Sequence, residues 1–225
     1  MSFALTRGAT AFRLRTDGSR ARLSAHAFGD RAAKVLVMTL FSSMAIRIAK
    51  DCAATGHVTG LLLLASESLV VALTLVRRSA ATVDRTLKAR ALTVIATFGP
   101  PLVRPMSVAA LAPESLTVVI SAIGLIIVVL GKLSLGRSFG LTPANRGVVS
   151  TGLYRYVRHP IYVGYLITHV GFVIANPADW NLIVLAGTDI ALLLRAQCEE
   201  RTLAADTAYR EYMQQVRWRI IPGVF

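Results

Sequence analysis

The chain has 225 residues, 54% of them hydrophobic and only 16% charged, with a mean hydropathy of +0.58. That is too apolar for a soluble domain of this length and marks an integral membrane protein. The net charge of +13 would suit nucleic acid, but the basic residues gather in alternate loops and no basic patch is interleaved with aromatics. This argues for contact with membrane lipids and against nucleic acid.

Residues 1–31 form a basic arm, with arginines at 7, 13, 15, 20, 22 and 31, expected to lie against anionic lipid. Ala25-His26-Ala27 mimics a cleavage site, but no apolar core precedes it, so it is not read as part of a secretory signal. Apolar stretches follow at Ala32 to Ala49, Val58 to Val76, Ala91 to Val103, Leu116 to Leu133, Ile161 to Ala175 and Trp180 to Leu194. Several fall short of the roughly 20 residues of a full span. The expected fold is all-α, a polytopic membrane helical bundle of about five to six membrane helices with a C-terminal cytoplasmic cofactor-binding part. Residues 32–135 supply its N-terminal transmembrane helices. The last two stretches are separated only by Asn176-Pro177-Ala178-Asp179 and read as a tilted or partly embedded helical hairpin.

Charge asymmetry sets the expected orientation. The basic arm, the loop holding Arg77, Arg78, Arg85, Lys88 and Arg90, and the segment holding Lys132, Arg137, Arg146, Arg155 and Arg158 fall on one side. The opposite side has chiefly Lys50 and Arg104, so both termini and the His159 region are expected to be cytoplasmic. Glu67 lies inside the second stretch, where an ionisable group needs a mate, and Arg47 is its expected partner. Cys52 and Cys198 have neither metal-ligand spacing nor a disulfide framework, and both read as packing residues; no metal site is expected.

Chemistry concentrates in residues 136–225, which mix apolar helices with Arg, Tyr, His and Glu. Gly136 to Arg155 is rich in Gly, Ser, Thr, Pro and Asn and reads as a loop. It leads to Arg158-His159-Pro160-Ile161-Tyr162-Val163-Gly164, where Pro160 suits the first position of a helix and leaves Arg158 and His159 at its mouth. Such a start attracts anionic ligand groups. After Leu194 a cytoplasmic helix is expected from the spacing of Arg195, Glu199, Leu203, Tyr209, Tyr212 and Val216, ended by Pro222 and Gly223. Arg195 and Glu199 share a face, which by itself implies only an i,i+4 ion pair. Joined by Tyr154, His159 and Tyr162 through the hairpin, they offer what a zwitterionic, nucleotide-like ligand needs: an anion-binding helix start, aromatic faces and a carboxylate.

The run Gly152-Leu153-Tyr154-Arg155-Tyr156-Val157-Arg158-His159-Pro160-Ile161-Tyr162-Val163-Gly164, then Glu199-Glu200 with Leu203, then Tyr209 and Tyr212, then Ile221-Pro222, resembles the isoprenylcysteine carboxyl methyltransferases and their bacterial relatives, phospholipid N-methyltransferases among them. The resemblance covers roughly the last 90 residues. It implies an S-adenosylmethionine-dependent membrane methyltransferase. It further implies that the cofactor is held by Val148, Val149, Tyr154, His159, Pro160, Ile161, Tyr162 and Glu199, and that Arg195 faces the methyl acceptor as its catalytic and substrate-binding residue. Methyl transfer from a sulfonium is an in-line displacement that depends on alignment and exclusion of water. An ionised carboxylate acceptor suits an arginine better than an amine does, which favours O-methylation over N-methylation. The acceptor is expected to be a lipophilic small molecule or lipid.

An alternative is an NADPH-dependent membrane sterol or steroid reductase, which the ending Arg219-Ile220-Ile221-Pro222-Gly223-Val224-Phe225 also resembles. Those enzymes typically carry Asn after the proline, where this chain has Ile161. A second alternative, a transporter or membrane assembly subunit, rests on Glu67 and Arg47 alone. The sequence sets no oligomeric state.

Overall fold

The computed structural model describes residues 38–56, 61, 64, 65, 68, 82–84, 86, 87–106, 108–139 and 143–223. The basic arm, most of the second apolar stretch and Glu67 lie outside them. The chain divides into two compact units, 1–40 and 41–225. Within the first, 38–40 are helical. The second contains helix α1 at 41–55, α2 (Leu87–Phe98), α3 (Glu114–Leu135), α4 (Pro160–Ala175), α5 (Asp179–Leu203) and α6 (Thr207–Gln215). The only sheet among the described residues is a two-residue antiparallel pairing of Thr82–Val83 with Ala144–Asn145. The all-helical expectation is met. Among the described residues two helices, α3 and α5, are long and apolar enough to cross a membrane, with α4 a shorter apolar helix.

Helix α3 is built inside out relative to a soluble helix. Its buried face carries Thr117, Ser121, Gly124, Val128 and Gly131, while Leu116, Val119, Ile123, Ile126, Leu130 and Leu133 are exposed. Small and weakly polar residues at the seam with large apolar residues outside is the pattern of a helix surrounded by lipid, where close backbone approach drives association. A contiguous apolar face of this kind is foreign to a protein surrounded by water.

The seam meets α4 at Gly164, Thr168 and Gly171. A Cβ on Gly164 would stand 2.6 Å from the Gly124 carbonyl oxygen and 2.7 Å from the Val128 nitrogen, so glycine is required by backbone contact. Gly164→Ala is expected to lower stability by about 1–3 kcal/mol through overpacking. Gly187→Ala, in α5 with open space around it, is expected to cause no loss, because alanine is the better helix former. Thermal unfolding of both variants in one detergent at one scan rate checks this.

Polar groups at the far end of the bundle are paired. Buried Asn181 accepts from the Arg104 backbone amide (2.9 Å) and donates to the carbonyls of Arg104 (2.8 Å) and Asn176 (3.2 Å). The Trp180 indole donates to the Leu102 carbonyl at 2.9 Å. The loop after α2 is thereby tied to the α4–α5 turn. Arg47 donates to the carbonyls of Pro101 and Val103 and to Ser43 Oγ. Its charge is therefore solvated by backbone dipoles, whatever Glu67 does.

Three boundaries differ from the sequence expectation. The third stretch ends at Phe98, because Gly99-Pro100-Pro101 cannot continue an α-helix and forms a 3-10 turn at Pro100–Leu102. No new helix begins after Leu194, since α5 continues to Leu203 and carries Arg195 and Glu199 itself. A separate α6 follows, with Asp206 capping the Ala208 amide at 3.0 Å, and ends at Gln215, well before Pro222. The segment after α6 instead runs back beside the start of α4.

Candidate functional site

The loop from Gly136 to Arg155 delivers the chain to α4 through tight turns. Gly152 sits at φ +60°, and a Cβ there would come within 3.3 Å of the Ser134 Cβ. A left-handed turn against α3 thus admits only glycine. The 3-10 turn Gly152–Arg155 then places Tyr154 inward. Pro160 occupies the first position of α4 as its φ restriction predicts. The amides of Arg158 and His159 donate to the carbonyls of Trp218 and Arg219, both at 2.9 Å. These two donors are taken by the returning C-terminal segment.

Two adjacent glutamates divide the work around this turn. Glu200, 5% exposed, lies 3.0 Å from Arg158 Nε, and its other oxygen accepts from Arg219 Nε at 2.8 Å. Glu199 turns the other way. Its Oε1 accepts from the Tyr162 hydroxyl at 2.8 Å and from Arg195 at 3.2 and 3.0 Å. His159 stands between the two carboxylates, with Nδ1 3.6 Å from Glu199 and Nε2 3.3 Å from Glu200. Its ring stacks on Tyr162, 5.3 Å between centroids, and the Arg195 guanidinium covers the same Tyr162 ring at 5.5 Å.

Tyr154 packs with Tyr209, Tyr212 and Val216, with Val148 and Val149 against them. The Tyr212 hydroxyl donates to the Tyr154 carbonyl at 2.8 Å, fixing α6 over the turn. Burial, with the Glu199 charge next, holds the Tyr154 phenol well above its ordinary range, and burial does the same for Tyr209 and Tyr212. All three are neutral donors across the physiological range.

These groups surround one pocket. Val148, Val149, Tyr154, His159, Ile161, Tyr162, Arg195 and Glu199 all line it, and Pro160 is buried behind them without lining it. Its enclosed space is about 140 Å³, continued by an open mouth. Glu199 supplies the one carboxylate among the described lining residues, and Arg146, Arg158 and Arg195 the cationic groups. Toward the bundle the lining becomes Ala96, Thr97, Pro100, Tyr165, His169 and Leu192. The sequence pattern does not single out Tyr165, His169 or Asp189. The signal that finds them is a histidine and an aspartate within apolar helices, where ionisable groups are costly. No group of three or more metal-ligating side chains occurs among the described residues.

No curated protein sequence matches the chain. Residues 115–205, which supply α3, the turn, α4 and α5, match the family model of the isoprenylcysteine carboxyl methyltransferase (ICMT) family. The match takes in α3, earlier than the motif-bearing segment, and stops before Tyr209. The part of the chain that builds most of the pocket is therefore similar to the isoprenylcysteine carboxyl methyltransferase family, which supports a membrane methyltransferase in general.

Proposed function

We propose that the protein transfers the methyl group of S-adenosylmethionine to a lipophilic acceptor taken from the membrane. The observation that carries this reading is the convergence of Tyr154, His159, Tyr162, Arg195 and Glu199 on one pocket that runs inward among the apolar helices. The residues suit the cofactor's chemistry. Val148 and Val149 offer backbone groups and apolar surface to a base, and Tyr154 an aromatic face. Glu199 can take ribose or ammonium hydrogens, while Arg146 favours a carboxylate. When bound, S-adenosylmethionine supplies an electrophilic methyl on a cationic sulfur.

What the chain itself contributes is alignment and dryness. Tyr162 is fixed from three sides, by Glu199, His159 and Arg195, so the wall beside the reacting groups loses little entropy on closing around a ligand. Arg195 is 6% exposed and holds Glu199. A carboxylate acceptor would have to share this arginine with Glu199, which already engages it through two nitrogens. We place the site and both termini on the cytoplasmic side of a multi-pass protein, because the basic loops fall there.

Calorimetry on the full chain in detergent tests the reading. S-adenosylmethionine and S-adenosylhomocysteine are each expected to bind saturably at one site, and NADPH is expected not to bind. NADPH binding without either sulfur nucleotide would transfer the protein to the reductases.

A further inference from the structure

Two buried polar atoms lining the pocket have no hydrogen-bond partner among the described residues. His169, on α4, is 1% exposed; its Nδ1 lies 2.6 Å from Asp189 Oδ1 on α5, and its Nε2 is buried with no hydrogen-bond partner among the described residues. Thr97, on α2, is 9% exposed, and its Oγ1 is likewise buried and unpartnered. Both residues line the pocket that holds Glu199 and Arg195. Leaving a buried polar atom unpaired costs about 1–3 kcal/mol, and two in one cavity mark a place made for a polar group of a ligand.

The chemistry of that group follows from the pair. With Nδ1–H donating to Asp189, a neutral His169 presents the Nε2 lone pair to the cavity. The Tyr165 ring stacks on the imidazole at 6.0 Å, and Lys132 Nζ lies 5.0 Å from the centre of the same Tyr165 ring. The hydroxyl of Thr97 can donate. A head group that both gives a hydrogen and accepts one satisfies both atoms, and a carboxylate, which only accepts, would face the His169 lone pair. His169 is seven residues beyond Tyr162 on one face of α4, about 10 Å along the helix axis, a span that accommodates an acceptor head between the two.

We propose that His169, oriented by Asp189, and Thr97 form the acceptor subsite, and that the methyl acceptor is an amine or a phenol on a lipophilic chain. This rests on the S-adenosylmethionine reading above. The nitrogen or oxygen lone pair of the acceptor forms the new bond to the methyl carbon. The sulfur–methyl bond breaks with its electron pair left on sulfur, giving a neutral thioether. The acceptor's proton passes to His169 Nε2, and the resulting imidazolium is held by Asp189. A proton-bearing acceptor therefore has its base in place, whereas a carboxylate acceptor needs none.

The test uses the full chain in detergent and two readouts. Diethyl pyrocarbonate, which acylates unprotonated imidazole nitrogen, is expected to label His169, and 4-dodecylphenol is expected to protect it, as mapped by peptide mass. With methyl-labelled S-adenosylmethionine, label is expected to reach dodecylamine or 4-dodecylphenol and not dodecanoic acid. His169→Gln is expected to lower that turnover by about 10²- to 10⁴-fold, with S-adenosylhomocysteine affinity unchanged as proof of an intact fold. A His169 that resists the reagent, a His169→Gln protein with undiminished transfer, or methylation confined to dodecanoic acid would each overturn the proposal. Failure of S-adenosylmethionine to bind at all would instead remove the donor, and both readings with it.

Discussion

Glu200→Ala is expected to destabilise the protein by about 3–5 kcal/mol, the usual effect of removing one partner from a buried ion pair. The carboxylate is 5% exposed and faces Arg158, itself 8% exposed, at 3.0 Å. Without Glu200 that guanidinium has no counter-ion among the described residues, and the adjacent Glu199 is already bound to Tyr162 and Arg195. The Arg219 tether is lost as well, which frees the segment whose carbonyls receive the amides of Arg158 and His159. Arg219→Ala removes only the outer member, whose side chain is 34% exposed, so a smaller loss is expected, on the order of 1 kcal/mol. Unfolding temperatures compared at one scan rate, as irreversible unfolding requires, give the ranking. An Arg219→Ala loss equal to that of Glu200→Ala would show that the buried pair adds nothing.

The parts legible in the sequence are those written in periodicity and in punctuation. The apolar stretch from Leu116 to Leu133, the proline at the start of α4 and the break at Asn176-Pro177-Ala178 place α3, α4 and the start of α5 within a few residues of where they lie. The i,i+4 relation of Arg195 and Glu199 is a real ion pair, and the hairpin does return it to His159 and Tyr162. The division of labour between Glu199 and Glu200 was not legible. Neighbours on a helix point about 100° apart, and which of two identical side chains faces a pocket depends on helix rotation. The return of residues 217–220 to the start of α4 has no period to read, because its bonds run between irregular backbones. The continuation of α5 past Leu194 was hidden for a different reason. Arg195 looked like the end of an apolar span, but it lies on the inner face, where Glu199 and Tyr162 receive it. His169 and Asp189 stand 20 residues apart on two helices, and no short-range pattern joins them.

Replacing Glu199 with glutamine is expected to weaken S-adenosylmethionine binding by roughly 10- to 100-fold, from the loss of hydrogen bonds to a charged acceptor worth about 1.5–3 kcal/mol. Glutamine keeps the length and one carbonyl, so Tyr162 can still donate, but it cannot neutralise Arg195, which is 6% exposed. Two effects therefore combine, a direct loss toward the ligand and a disturbance of the Arg195 and Tyr162 positions. Tyr162→Phe separates them. It removes the 2.8 Å hydrogen bond to Glu199 while leaving the carboxylate, the Arg195 contact and the aromatic face over His159. If Glu199 touches the ligand, Tyr162→Phe should cost affinity by about tenfold or less and Glu199→Gln clearly more. Equal losses would mean that Glu199 acts only by holding Tyr162, and the carboxylate would then be a positioning residue with no contact of its own. Titration calorimetry of S-adenosylmethionine and S-adenosylhomocysteine into the two variants decides between these, since the product lacks the sulfonium charge. A Glu199 that senses that charge should discriminate between the two nucleotides, and Glu199→Gln should erase the difference.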